Sequence, residues 1–307
     1  MKVHIIFSAF GKPSDFPVLQ SIEKYSGIFP ICLTSRSYGE SWRTKGVETH
    51  QTFFNPMSKL SKIFRFLIRK RLFLINYFLP KFILNFRFLR NIFVVPHNLR
   101  HFLALEVLNK IDPEDYVFLV DSRDLIFQSS PIDIVRILDT EDKIHVFDEG
   151  LNYFRNNLPQ NFIYSKANFE WVQKLLNCPK DFSLFDLKNS VINSGCIAGS
   201  AKNIRKLLSL TTALISQSRY GVEALLDQAA LNVAVYGNHI SDSYFKVNAN
   251  GTIVLNMCGV IKESTKIVNG KLLVDNKLTP IVHQFDRFGI YSVEDELVLN
   301  RRNYQLN

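Results

Sequence analysis

Five consecutive apolar residues, Tyr116-Val117-Phe118-Leu119-Val120, run directly into Asp121-Ser122-Arg123-Asp124. A strand is apolar at every position only when both of its faces are covered, which is the situation at the centre of a mainly parallel sheet packed between helices. The abrupt change to acidic residues then puts two carboxylates at the carboxyl end of that strand, where open α/β sheets form their ligand crevice. With 307 residues, 47% of them hydrophobic, the chain has the apolar content to bury such a core.

The flanking pattern agrees with an α/β chain. Residues 2–8 read as a buried strand, 16–25 as a helix and 28–34 as a second strand, the opening of a nucleotide-binding βαβ half. Ser8-Ala9-Phe10-Gly11-Lys12 carries a single glycine, so neither the dinucleotide fingerprint nor a P-loop is present. Further helices are expected over 99–111, 132–138, 169–176, 201–216 and 222–235, and strands over 143–147, 193–199 and 280–283. Asn250-Gly251 and Asn269-Gly270, each between short apolar runs, predict two hairpins in the C-terminal third. Asn250-Gly251-Thr252 also matches a glycosylation sequon, but reads as a turn. No repeat or flexible linker divides the chain, which is expected to form one domain over 1–307.

Composition narrows the function classes. Cys32, Cys178, Cys196 and Cys258 lack ligand spacing, so neither a zinc site nor a disulfide framework is indicated, and a reducing compartment fits best. The N-terminal residues read as a first strand, so no secretion signal is expected. The net charge of +9 is concentrated: between residues 49 and 105 there is no Asp or Glu, while Lys59, Lys62, Arg65, Arg69 and other basic residues alternate with Phe, Leu and Ile. The uncharged apolar run 72–80 there is far short of the roughly 20 residues of a spanning helix. Nucleic acid is not expected as a partner, because no recognition module is present. Basic helices over 57–98 lying in an anionic membrane interface are expected instead, placing the protein in the cytoplasm, peripherally at the inner face of the cell membrane. No acidic partner for these basic residues lies within the stretch.

Two carboxylates within one turn offer hard oxygen ligands to Mg²⁺ or Mn²⁺ and leave positions open for diphosphate oxygens. The plainer alternative is that Asp124 caps its turn and Asp121 pairs with Arg123. Val120 to Gln128, with Pro131 after it, resembles the metal-binding segment of GT-A glycosyltransferases, in which an apolar strand runs into a DxD-type acidic motif. Asn193-Ser194-Gly195, Leu226-Asp227-Gln228 with Leu231-Asn232, and Ile281-Val282-His283 resemble later segments of the same enzymes, in the same order. Arg123 departs from the family pattern, at a position usually acidic. Either the metal site is then Asp121 and Asp124 with help from His283, or the arginine itself contacts phosphate and lessens the dependence on metal.

The resemblance implies a GT-A type nucleotide-diphospho-sugar transferase fold. Its central sheet would be mostly parallel and flanked by helices, with a basic helical insertion at 57–98 and a small hairpin-rich C-terminal part. It implies a metal set of Asp121, Asp124 and His283. Phe7, Ser8, Ala9, Arg100, Asp121, Ser122, Arg123, Ser194 and Gly195 would contact the nucleotide sugar, and Asp227, Gln228 and Asn193 would stand at the reacting centre. Arg100 would meet phosphate or brace the metal-loop carboxylates. Asp148-Glu149 ends another strand and reads as a solvated turn, with a cleft-facing position as the alternative. The implied activity is transfer of a hexose from a nucleotide diphosphate sugar to a glycan or lipid-linked acceptor in surface polysaccharide synthesis. A non-catalytic, membrane-associated glycan-binding scaffold of the same fold is the alternative.

Overall fold

The computed structural model describes residues 1–52, 55–56, 58–59, 62–63, 83–84, 86–138, 142–152, 159–177, 190–222, 224–237, 244–257 and 265–284. Its core is a seven-stranded sheet built from β1 (Val3–Ser8), β2 (Ile28–Ser35), β3 (Glu48–Thr52), β4 (Tyr116–Val120), β6 (Ile144–Asn152), β7 (Ser190–Ser200) and β8 (Phe245–Asn248). The spatial order is β3-β2-β1-β4-β7-β6-β8. The pairs β3–β2, β2–β1, β1–β4 and β6–β8 are parallel, and β7 is antiparallel to both of its neighbours. This is the mainly parallel α/β architecture that the apolar run at 116–120 demands.

All five residues of β4 are buried, and they alternate between the two faces. Val117 and Leu119 join a cluster with α4 (Pro96–Leu108), α7 (Ala201–Gln217) and α8 (Asp227–Tyr236), while Tyr116, Phe118 and Val120 pack toward α1 (Pro17–Ile22) and Trp42 of α2 (Arg36–Arg43). α5 (Pro131–Leu138) covers that second face with Ile134, Val135 and Leu138, and α6 (Pro159–Leu176) contributes Val172 and Leu175 to the first. Burying a Leu- or Ile-sized side chain contributes about 1.5–3 kcal/mol, so a strand covered twice anchors everything attached to its end.

A second sheet joins β5 (Leu125–Phe127), β13 (Ile281–His283) and β9 (Val254–Asn256), with β13 between the other two. It brings the end of the described chain back against the loop that follows β4. The hairpin expected around Asn269-Gly270 is present as β10 (Thr265–Val268) and β11 (Lys271–Val274), extended by β12 (Lys277–Leu278). Both turn residues have positive φ, 52° and 69°, as an Asn-Gly hairpin turn requires. Gln128 fastens this hairpin to the core: its Nε2 donates to the carbonyls of Leu272 and Thr279, and its Oε1 accepts from the Leu272 N–H.

The hairpin expected around Asn250-Gly251 does not form. The turn is there, with Gly251 at φ 85°, but β8 pairs in parallel with β6 and β9 in parallel with β13. Non-local parallel partners cover both strands, so the turn redirects the chain between two sheets. The Asn250 side chain serves this turn, with Nδ2 donating to the Asn256 carbonyl and Oδ1 accepting from the Asn256 N–H. Further differences concern boundaries: α4 starts at Pro96, a favoured first helical residue, α6 starts at Pro159 rather than at 169, β6 runs on to Asn152 rather than 147, and α8 starts at Asp227 rather than at 222.

Most of the basic stretch over 57–98 lies outside the described residues. Its described end is α3 (Arg87–Phe93), and here an acidic partner exists. Glu106, on α4 just beyond the acid-free stretch, pairs with Arg87 at 2.9 Å and Arg90 at 2.6 Å, and with His50 at 3.0 Å. Among the described residues no helix is long and apolar enough to cross a membrane. Cys32 and Cys196 are buried free thiols, and Cys178 and Cys258 lie outside the described residues.

Candidate active site

β4 ends at Val120, and the next amide continues the ladder, the Asp121 N–H donating to the Gly195 carbonyl at 2.8 Å. The loop that follows is held at both ends. Ser122 Oγ donates to the Ser8 carbonyl at 2.6 Å, and the Asp124 carbonyl accepts from the Gln284 N–H at 2.7 Å. Because β13 pairs with β5, His283 lies opposite Leu125 and beside this loop. Asp121, Asp124 and His283 therefore present one ligand atom each within 4.8 Å of one another. His283 Nε2 is 3.3 Å from Asp121 Oδ2 and 3.6 Å from Asp124 Oδ1. Its Nδ1 is bonded to Asn256 Oδ1 at 2.8 Å, which fixes the ring and directs Nε2 at the carboxylates.

Arg100 braces the arrangement from below. It is 2% exposed on α4; Nη1 pairs with Asp121, and Nη2 donates to Asp227 Oδ2 at 2.8 Å, the Ser194 carbonyl at 2.8 Å and Ser194 Oγ at 2.9 Å. Of its two expected roles, the described bonds are those of the brace. Asp121 accordingly pairs with Arg100, not with Arg123. Asn98, on the same helix, takes the N–H groups of Leu226 and Asp227 on its Oδ1 at 2.9 and 3.0 Å, capping α8 and setting where Asp227 stands.

The electrostatics follow from these contacts. Burial alone would raise the carboxyl of Asp121, but Arg100, with His283 second, holds it well below the ordinary carboxylate range. Asp227 is likewise lowered against its burial, chiefly by Arg100. Facing Asp124 and Asp121, the buried His283 imidazole is pushed up to about 9 despite its desolvation. This corner stabilises positive charge.

β7 supplies the opposite wall through an irregularity. Val146 of β6 faces Ile197, yet Phe147 faces Asn193, so Ser194, Gly195 and Cys196 leave the β6 ladder; Cys196 pairs with Val120 of β4 and the Gly195 carbonyl takes the Asp121 N–H, while Ser194 turns to Gln228 and Arg100. Gly195 is required by close approach: a Cβ there would run into the His283 ring and come within 2.7 Å of Asn193 Oδ1. Asn193, Ser194, Asp227 and Gln228 are all buried, and Gln228 Oε1 accepts from the Ser194 N–H at 3.2 Å.

A cleft of about 480 Å³ opens above these groups, lined by Ser8, Phe10, Phe16, Pro96, His97, Arg100 and residues 121–124. Arg123 is exposed at its edge, with no ion-pair partner among the described residues. Of the residues expected to meet the nucleotide, Ser8, Arg100, Asp121, Ser122 and Arg123 line the cleft. Phe7, Ala9, Ser194 and Gly195 do not, nor do Asn193, Asp227 and Gln228: alternation puts Phe7 and Ala9 on the core face, where Phe7 packs on Trp42 with ring centroids 5.4 Å apart, and the other five are buried behind the cleft lining. Asp148-Glu149 is not a solvated turn, since Glu149 is only 3% exposed. Asn98, Asn256, Gln284, Phe10, Phe16 and His97 carried no local signal in the sequence.

No family model matches the sequence, and no curated protein matches it. Among solved structures, that of the galactosyltransferase LgtC in complex with donor and acceptor sugar analogs superposes on 96% of this chain and 95% of that chain, at 14% identity and a TM-score of 0.49. What the site can do is decided by its own side chains.

Proposed function

We propose that the chain is a metal-assisted glycosyltransferase of the GT-A type, a single domain over 1–307. It would move a hexose from a nucleotide diphosphate sugar to a glycan or lipid-linked acceptor in surface polysaccharide synthesis. The observation that carries this reading is the convergence of Asp121, Asp124 and His283 within 4.8 Å at the mouth of the central strand, beside a cleft edged by Arg123.

The donor set fits a divalent cation of the Mn²⁺ or Mg²⁺ kind: two carboxylate oxygens and an imidazole nitrogen, the latter oriented by Asn256. When bound, such an ion supplies charge neutralisation for a departing nucleoside diphosphate. The protein's own groups do the rest. Arg100 keeps Asp121 and Asp227 ionised and aimed, so no side chain must reorganise as charge develops. Arg123, without an acidic partner among the described residues, is free to pair with a phosphate oxygen from the open side. Asp227, reached by Arg100 and Ser194 Oγ through Oδ2, would offer its other carboxylate oxygen to a sugar hydroxyl, and Gln228 would hold Ser194 beside it. The basic segment over 57–98 would hold the enzyme at an anionic membrane surface, where lipid-linked acceptors reside.

The test is turnover of a panel of nucleotide sugars without acceptor, with products separated by chromatography. Release of a nucleoside diphosphate that needs Mn²⁺ and stops on chelation supports the reading. Release of pyrophosphate would point to a nucleotidyltransferase, and binding without turnover to the glycan-binding scaffold.

A further inference from the structure

Glu149 is a buried ionisable group that the transferase reading leaves without a task. Glu149 is 3% exposed, and its Oε1 accepts from three amides at once: Asn193 Nδ2 at 2.5 Å, Gln228 Nε2 at 3.3 Å and Gln284 Nε2 at 3.3 Å. These amides belong to β7, to α8 and to the residue following β13, three segments far apart in the chain. Among the described residues no Lys, Arg or His is bonded to this carboxylate.

An ionised carboxylate only accepts hydrogen bonds, so each amide must turn its NH₂ toward Glu149 and its carbonyl oxygen elsewhere. For Asn193, that oxygen then takes the Gly195 N–H at 2.5 Å. For Gln228 it takes the Ser194 N–H at 3.2 Å, while the second amide hydrogen reaches Asn168 Oδ1 at 2.6 Å. Rotating either amide by half a turn would set an N–H against an N–H in a buried place, at the full desolvation cost of both. Gln284 is fixed twice over, by Glu149 at its side chain and by the Asp124 carbonyl at its N–H. Every arm of the junction thus ends on the ligand loop or on the Ser194-Gly195 wall facing it.

We propose that Glu149 is a positioning residue for the transfer reaction: one carboxylate oxygen that locks Asn193, Gln228 and Gln284 into the single amide orientation the reacting centre uses. The proposal rests on the transferase reading for its chemistry, but not for its geometry. Its arms reach the ligand loop through backbone hydrogen bonds that survive loss of the carboxylate, so Glu149 bears on the rate and not on holding metal or donor.

The experiment uses the full chain as wild type, Glu149→Leu and Glu149→Gln. Side-chain amide spectra come first, since they need no turnover. The NH₂ groups of Asn193, Gln228 and Gln284 should be displaced and slow to exchange in the wild type, and should move toward solvent-like positions in Glu149→Leu. Kinetics come second. Glu149→Leu should lower kcat on the order of 100-fold per folded chain, the cost of a misplaced reacting group, while KM for the nucleotide sugar and the affinity for Mn²⁺ alone change by no more than about threefold. Glu149→Gln, which keeps an acceptor oxygen at the junction, should recover to within about tenfold of the wild type.

Unchanged amide spectra in Glu149→Leu overturn the proposal. So does a rate loss that only follows the unfolded fraction, or one carried by KM or Mn²⁺ affinity. If the wild type turns over no nucleotide sugar, the transferase reading fails on that result, and the amide spectra alone decide whether Glu149 orders the three side chains.

Discussion

Replacing Arg100 by Met removes the one cation shared by Asp121 and Asp227, and the geometry sets the size of the effect. The guanidinium side chain is 2% exposed and that of Asp227 6% exposed, so the Asp227 carboxylate would be left buried without its partner. Breaking a buried pair in this way costs about 3–5 kcal/mol. The Ser194 carbonyl loses a charged donor at 2.8 Å as well, adding about 1 kcal/mol. Asp121 adds little, being 22% exposed and still faced by His283. The sum, about 4–6 kcal/mol, takes up much of the 5–15 kcal/mol that folded domains possess. Urea unfolding of the metal-free protein at neutral pH measures it directly. Arg100→Lys, which keeps the charge but not the forked geometry, should fold and lose about 1–2 kcal/mol. A loss below about 1 kcal/mol in Arg100→Met would refute the reasoning, because that is what a residue serving only as a ligand for phosphate would give.

Three further outcomes follow from the same contacts. Gly195→Ala should weaken Mn²⁺ binding by at least about tenfold and lower stability by about 1–3 kcal/mol, since the added methyl meets the His283 ring; calorimetric titration and melting report the two effects. His101, buried and hydrogen-bonded to Thr211, has its pKa lowered to about 4 by desolvation first and Arg100 second. Its stabilising contribution is therefore complete above about pH 6.5 and is lost as pH falls toward 4, by up to about 3 kcal/mol; His101→Phe should flatten that part of the urea midpoint against pH. His283 has the opposite sign: with its pKa raised to about 9, a proton competes with metal below that pH, and the metal-free protein loses this ion-pair stabilisation as pH rises through 9. Mn²⁺ affinity, followed by titration at each pH, should accordingly strengthen from pH 6.5 to 9.

The sequence exposes the parts of this site that lie along a single segment. Tyr116 to Asp124 declares itself because burial on both faces removes every polar residue from the strand and its end restores them at once. Asn193 to Gly195 are legible as small and polar residues within a strand, and Asp227 as the polar first residue of a helix. What escapes is set by long-range pairing. β3 carries no sequence signal because an edge strand reading Glu-Thr-His-Gln-Thr has no apolar alternation. The first Asn-Gly turn misled because the local signal for a hairpin is the same whether the flanking strands pair with each other or with distant partners. Glu149, Asn256 and Gln284 look like ordinary turn or strand-end residues, and only the return of β13 against β5 gives them partners. Phe7 illustrates the reverse error: its place in the chain is right, but alternation sends its side chain into the core while Ser8 meets the cleft.

The most direct test of the central claim is a titration of the full chain with Mn²⁺, followed by the electron paramagnetic resonance signal of the free ion, with and without a nucleoside diphosphate. A single site per chain, tightened by the nucleoside diphosphate and abolished in Asp124→Asn, is what the convergence of Asp121, Asp124 and His283 predicts. Binding that is absent, or that is indifferent both to the nucleotide and to the loss of Asp124, would contradict it.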